Sequence, residues 1–429
     1  MNTTKKILIW GILTEIIYLI FFLIDPLRKY YGDTSLTLSL NNFYFLITTL
    51  LFGAGFFYFM ASRLELNQKS FRLALIFFGI FSLTNLASHP LTSIDAYTYI
   101  HTSRVLSVHQ QNPYIHNFDE FPSDTFASQI KNCWSNKPTP YAPLFTVISS
   151  TLSFIGQHNL TFSLYLFKIF FVILNILSLY LVFLISKDYK TTFLYAWNPL
   201  LLFEFGINAH NDIVSVFFLL LALYYSQKNN FKSYLTALGF LFLSALIKYI
   251  TAIFLPLAIW FYFHKLENRR EKTNFFFASL LLSIFIITLF YLPFWSGPEI
   301  FSRLFSQASN FSRAWIFSSP LIIVLASILS IFKISGIIPL ATQAAKLVFI
   351  ISYLLILVYV IFKKNTTRLN KTFIISLTIF YFSFFTWLMP WYLSVLLVLL
   401  ILENKSETRY FYLAHALTFY SFFYYLILR

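Results

Sequence analysis

Apolar segments recur from one end of the chain to the other. Each is near the roughly 20 residues that a helix needs to cross a bilayer core about 30 Å thick. They fall at about 7–24, 43–61, 71–88, 162–186, 191–206, 213–227, 233–247, 250–263, 274–294, 315–333, 338–362, 372–388, 391–403 and 410–428. Composition agrees: 11% of residues are charged, less than half the roughly 25% of a soluble domain. The chain reads as an all-α polytopic membrane protein, one integral membrane domain over 1–429. Several segments are short or broken by proline, so about 11–13 transmembrane helices are expected. Disorder, a coiled coil and an ordinary cytosolic enzyme are excluded. Residues 7–24 have no small-residue cleavage site after them and read as a retained first span. The lone Cys133 excludes an internal disulfide and a cysteine-ligated metal.

The net charge of +15 would suggest nucleic acid in a soluble protein. Here it fits Lys and Arg gathered in short cytoplasmic loops, and no nucleic-acid partner is expected. Lys5 and Lys6, then Arg63, Lys69 and Arg72, place the first two loops inside. The third span then delivers residues 89–140, the longest hydrophilic stretch, to the outer side. Residues 191–206 lead outward again to His210, Asn211 and Asp212, and 233–263 form a hairpin with Lys248 near its outer apex. The basic run Lys363, Lys364, Arg368 and Lys371 fits inside if one of 315–333 and 338–362 is re-entrant. The expected site is a cytoplasmic (inner) membrane, multi-pass, with the chemistry facing outward.

Polar groups at membrane depth are costly and are functional candidates by default. The first cluster is Asp95-Ala-Tyr97-Thr-Tyr99, Arg104 and Asn112-Pro-Tyr114. Residues 95–108 can form a helix with Ser93 or Asp95 as N-cap, and Arg104 then lies roughly on the Asp95 side. The plain alternative is that Asp95 only caps a helix. The second cluster is Asn198-Pro199, Glu204, Asn208, His210, Asn211 and Asp212. Pro199 breaks its helix, and a carboxylate at Glu204 needs a partner or a proton. A helix cap explains Asp212 alone but not Glu204 or His210. Lys248 either snorkels or binds an anion at headgroup depth. Arg303 and Arg313, in the loop 295–314, are phosphate candidates or exposed loop charges. Tyr141 in Pro-Tyr-Ala-Pro-Leu, and Trp391 and Tyr392 after Pro390, are weaker signals that also fit interfacial anchors. No metal motif is clear: a divalent metal is possible without being encoded by a motif, and no other cofactor is indicated.

In this order, Asp95-Ala-Tyr-x-Tyr, Arg104, Asn112-Pro-Tyr, Tyr141-Ala-Pro-Leu, Asn198-Pro-Leu, Glu204, Asn208-Ala-His-Asn-Asp212, Lys248-Tyr and Pro390-Trp-Tyr392 resemble the polyprenol-phosphate-mannose-dependent α-mannosyltransferases of the GT-C superfamily. The resemblance spans about 90–395. It implies a GT-C-like bundle whose outer loop, 89–140, carries short interfacial helices and the catalytic group. It also implies a polyprenyl-phosphate sugar donor and a glycan or glycolipid acceptor, used by an inverting mechanism with Asp95 as general base. Lys248, Arg303, Arg313 and Arg104 would hold the phosphate. Glu204, His210, Asn211 and Asp212 would bind sugar hydroxyls or orient the acceptor. A transporter or flippase for a lipid-linked glycan is the competing reading. It is disfavoured because no repeat is apparent and the polar groups gather at one face rather than the midplane. A different GT-C enzyme is a third reading, though those usually carry the early Asp after the first span.

Overall fold

Asparagine starts several of the helices. Its side-chain oxygen can accept one of the N–H groups that a helix start leaves without an internal partner. In a computed structural model describing residues 2–24, 40–129, 134–298, 319–332, 336–362, 369–385, 388–404 and 408–427, Asn2 caps α1 (Thr3–Leu23). Asn67 closes a reciprocal capping box on α3 (Gln68–Ala87). Asn159, Asn230 and Asn268 cap α6 (Leu160–Ser186), α10 (Phe231–Ala245) and α12 (Arg269–Tyr291). Asp188 does the same for α7 (Tyr189–Ala196). The described residues contain helices and turns and no strand. Among the described residues six helices are long and apolar enough to cross a membrane, and shorter apolar helices accompany them. The all-α polytopic membrane class follows. Arg303, Arg313, Cys133, Lys363, Lys364 and Arg368 lie outside the described residues.

The chain divides into two compact units. The first holds Met1–Leu220 and Leu393–Arg429: α1, α2 (Leu40–Ser62), α3, α4 (Asp95–Ser107), α5 (Pro143–Ile155), α6, α7, α8 (Pro199–Leu202), the start of α9 (Asp212–Ser226), α16 (Leu393–Glu403) and α17 (Thr408–Ile427). Its core is the stretch 191–216, in which every residue is buried. The sequence suggested one apolar span over 191–206. The structure instead gives α7, α8 and a π-helical turn, Phe203–Ile207. The break falls at Asn198-Pro199 as expected. Pro199 has no N–H to donate, and the Asn198 side chain caps the new start by accepting from Leu200 and Leu201 N–H. Because the stretch is enclosed, each polar group needs a protein partner. Trp197 Nε1 donates to the Ala74 carbonyl at 2.9 Å, and Asn198 Nδ2 to Thr418 Oγ1 at 2.9 Å.

The second unit is Leu221–Tyr392. Besides α10 and α12 it contains α11 (Phe254–Lys265), α13 (Pro320–Ile331), α14 (Ile337–Phe362) and α15 (Leu369–Ser383). The expected hairpin is present as α10 and α11, joined through a 3₁₀ turn at Tyr249–Ile253. The Tyr353 hydroxyl, from α14, donates to the Ile253 carbonyl at 2.5 Å and fixes the end of that turn. Small residues, Ala326 of α13 with Ala341 and Ala345 of α14, let these two helices pack closely.

Candidate active site

Two chain segments meet in the first unit. One leaves the end of α3 and enters α4; the other leaves the π turn and enters α9. Lys168 of α6 holds both. It is fully buried, and its ammonium donates to the carbonyls of Asn85 at 3.1 Å, Ser88 at 2.5 Å and Ile207 at 3.0 Å. These carbonyls lie at helix C-terminal ends, where a cation also meets the negative end of the dipole. One turn earlier on α6, Tyr165 donates to the Ala87 carbonyl at 3.2 Å. Asn208 adds a second tie. Its Oδ1 accepts from Leu91 and Thr92 N–H, and its Nδ2 donates to Thr92 Oγ1 at 2.8 Å and Glu204 Oε2 at 3.0 Å.

The turn itself is strained. Ala209 has φ +57°, a left-handed conformation that costs an L-residue about 1–2 kcal/mol. It lets His210 N–H reach back to the Glu204 carbonyl at 2.9 Å, which folds the imidazole over the Glu204 carboxylate. His210 Nε2 is 3.1 Å from Glu204 Oε2, and Nδ1 is 3.6 Å from Asp95 Oδ2. The Tyr425 hydroxyl, from α17, donates to the other Glu204 oxygen. The His210 ring thus stands between the carboxylates of Asp95 and Glu204, within charge-pair distance of both. His210 and Glu204 have no accessible side-chain surface, whereas Asp95 keeps 21%. The reachable member of this group is a carboxylate.

Asp95 is the first residue of α4, with Ile94 in the capping position. The Ser93 hydroxyl accepts Asp95 N–H at 3.1 Å. Ser93 or Asp95 was expected as the N-cap; Ile94 holds that position without a side-chain cap, and the Asp95 carboxylate lies towards His210. Tyr99 is fully buried and receives Asn211 N–H at 3.2 Å. Burial first, then the neighbouring Tyr141, Asp95 and Asp212 charges, push its phenol well above 10, so it stays a neutral hydroxyl. It packs edge-on to Tyr141 at 5.1 Å, and Tyr114 donates to the Tyr141 carbonyl at 2.9 Å. Asn112 shapes that turn by accepting Tyr114 N–H at 3.0 Å. Tyr97 is buried in α4, and Asp212 is the buried first residue of α9.

Arg104 does not join Asp95. It is 3% exposed, and its guanidinium grips the Asp124 carboxylate at 2.9–3.0 Å. It also donates to the Gln157 carbonyl at 2.9 Å and stacks on Phe126. His109 reaches the same carboxylate at 2.8 Å. This hub ties Arg104, His109 and Asp124 to Gln157. Glu204, Asn208, His210 and Asn211 have no accessible surface. In the second unit the Lys248 ammonium lies 4.7 Å over the Tyr392 ring. Tyr381 donates to the Tyr392 carbonyl, Tyr291 to the Tyr249 hydroxyl at 3.1 Å, and Trp391 is buried. Among the described residues no group of three or more His, Cys, Asp or Glu side chains is placed to hold a metal ion.

A family model described as alpha-(1->6)-mannopyranosyltransferase, N-terminal domain, matches residues 28–264, more than half of the chain. The chain belongs to this mannosyltransferase family. It is a mannose-transferring glycosyltransferase of the GT-C type, built as a multi-pass membrane protein. The matched stretch contains both segments of the site and ends beyond Lys248. No curated protein and no solved structure matched. Within the mannosyltransferase, sequence reasoning missed Lys168, Asp124 and Tyr425. Lys168 carried a usable signal, a lone cation in an apolar span like the one at Lys248. Tyr425 is one of 28 tyrosines and carried none.

Proposed function

We propose that this mannosyltransferase moves mannose from a polyprenyl-phosphate donor to a hydroxyl of a lipid-linked or cell-envelope glycan, on the outer face of the cytoplasmic membrane. Asp95 acts as general base: it takes the acceptor proton as the acceptor oxygen attacks the anomeric carbon. The bond from that carbon to the phosphate oxygen breaks, and the polyprenyl phosphate leaves with the electron pair. It is already a good anion, so no strong general acid is required. Attack opposite the leaving group inverts the centre, and a β-linked donor gives an α-linked product. Lys248, with Arg303 and Arg313, supplies cations for the phosphate at headgroup depth. Trp391 and Tyr392 are substrate-binding residues in this reading.

The observation that carries this reading is the exposure gradient: Asp95 accessible, His210 and Glu204 enclosed behind it. The test is mannose transfer in membranes supplied with purified polyprenyl-phosphate mannose. Asp95→Asn is expected to keep expression and donor binding while lowering turnover at least roughly 100-fold, the low end of general-base effects. Near-normal turnover removes Asp95 from the role.

A further inference from the structure

Two open recesses of about 370 Å³ each lie side by side in the first unit and share Asp188 and Lys190. They sit where α2 and α6 end and where α7 and α17 begin. α3 starts next to them and ends before the Asp95 segment, and its 20 residues span about 30 Å at 1.5 Å each. The recesses therefore lie at the far end of this unit from the candidate active site, and the transfer chemistry makes no use of them. We infer that the recess lined by Arg63, Lys190 and Thr408 binds a phosphate group, carried by a lipid headgroup or free in solution. In the orientation proposed above, such a lipid belongs to the cytoplasmic leaflet.

Phosphate oxygens accept hydrogen bonds and carry negative charge, so a site for them needs donors and cations. Arg63 supplies a guanidinium and Lys190 an ammonium. Each leans on an aromatic ring, Arg63 on Phe59 at 5.7 Å and Lys190 on Phe411 at 5.0 Å. Neither forms an ion pair among the described residues. The acid closest to them is engaged as the cap of α7: Asp188 Oδ2 accepts Thr191 N–H at 2.8 Å and the Thr191 hydroxyl at 2.7 Å. Asn404, Thr408 and Tyr412 add neutral side-chain donors to the same recess. Thr408 is also the first residue of α17, a 20-residue helix, and a helix start carries the positive end of the dipole. The neighbouring recess differs. Glu65 and Asp188 line it together with Lys187 and Lys190, so its charges balance, whereas the first recess keeps an excess of positive charge. A preference for Lys and Arg on the cytoplasmic side accounts for the number of cations there. It does not account for their grouping around one cavity with amide and hydroxyl donors.

The test titrates the purified full-length protein in a maltoside detergent and reads the apparent Kd from the ligand-dependent rise in Tm. The probes are dihexanoyl-phosphatidylglycerol and inorganic phosphate, with dihexanoylglycerol as the phosphate-free control. Arg63→Gln and Lys190→Gln should each weaken the phosphate probes about tenfold, the scale of one lost hydrogen bond to a charged group. Thr408→Val keeps both cations at an exposed position and should weaken them about threefold, which guards against a cation variant that folds poorly. Lys228→Gln removes the same charge from a loop outside the recess and should leave Kd within about twofold. With this pattern, tighter binding of the phosphatidylglycerol than of inorganic phosphate assigns the recess to a lipid headgroup. Equal or tighter binding of inorganic phosphate assigns it to a free phosphate. The inference is overturned if neither probe raises Tm beyond the dihexanoylglycerol control. It is also overturned if the Arg63 and Lys190 variants bind like wild type, or if Lys228→Gln weakens binding as much as they do. No readout involves mannose transfer, so failure here leaves the proposed function as it stands.

Discussion

Lys168 donates to the Ser88 carbonyl at 2.5 Å and thereby anchors the segment leading to Asp95. The same ammonium reaches Ile207 at 3.0 Å, at the end of the turn that carries Glu204. One cation thus sets the distance between the two halves of the site. Lys168→Met leaves three enclosed carbonyls without their donor and is expected to destabilise the protein by about 3 kcal/mol. Lys168→Arg does not rescue it, because a planar fork cannot point at three carbonyls converging on one atom. Thermal unfolding of the detergent-solubilised chain measures this; an unchanged Tm in Lys168→Met would show that the clamp carries no weight.

Ala209 holds its left-handed turn against its own Cβ. Ala209→Gly removes that clash and is expected to be neutral or to stabilise by up to about 1 kcal/mol, with mannose transfer retained. Ala209→Val adds a branched side chain where φ is +57° and is expected to cost about 2 kcal/mol and most of the activity. Tm and transfer rate should fall together in the valine variant and neither in the glycine one. Gly206→Ala is expected to resemble valine, since a Cβ there would sit 2.8 Å from Asn85 Cβ.

The helices were legible because a bilayer demands long apolar runs. The break at Asn198-Pro199 was legible from proline's missing donor. What periodicity cannot show is enclosure. Residues 191–206 are as apolar as a lipid-facing span, yet they form the core of the first unit, because apolar side chains satisfy lipid and protein alike. The polar residues of the site stood out by rarity, and Asp95, Glu204, Asn208 and His210 do converge. Their roles were less legible. Arg104 lay within reach of Asp95 by helical spacing, but its partner Asp124 is 20 residues away along a loop that no periodicity describes.

The loop hub predicts acid sensitivity in two stages. Burial is the largest influence on His101 and lowers its pKa from 6.5 to about 4; the ring stacks on Phe118 at 4.1 Å. The unfolded chain therefore binds this proton first. Stability is complete above 6.5 and falls as pH drops towards 4, by up to about 3 kcal/mol. Asp124 acts lower. Burial pushes its carboxyl up, but Phe126 N–H, Arg104 and His109 outweigh burial and hold it below 3.8. Its contribution is present above that value and is lost as pH falls through the lower folded one. Proteolytic cutting within 108–129, followed from pH 7 to 3, should accelerate in both stages. His101→Phe should keep the stack on Phe118 and abolish the first stage while leaving the second.

Lys248 is the cation most directly testable for the donor. It stands at the start of the 3₁₀ turn between α10 and α11, and its ammonium rests on the Tyr392 ring. A ring face attracts the charge without neutralising it. If the ammonium binds the lipid phosphate, Lys248→Ala should raise the donor KM about tenfold, the equivalent of roughly 1.4 kcal/mol. The acceptor KM should hold steady, because the acceptor carries no part of that phosphate. Tyr392→Leu should produce a smaller rise in the same constant, about threefold, by freeing the ammonium from its seat. Initial rates with the donor varied at saturating acceptor give both numbers. Unchanged donor KM and kcat in Lys248→Ala would reduce the residue to a lysine reaching for the headgroup layer.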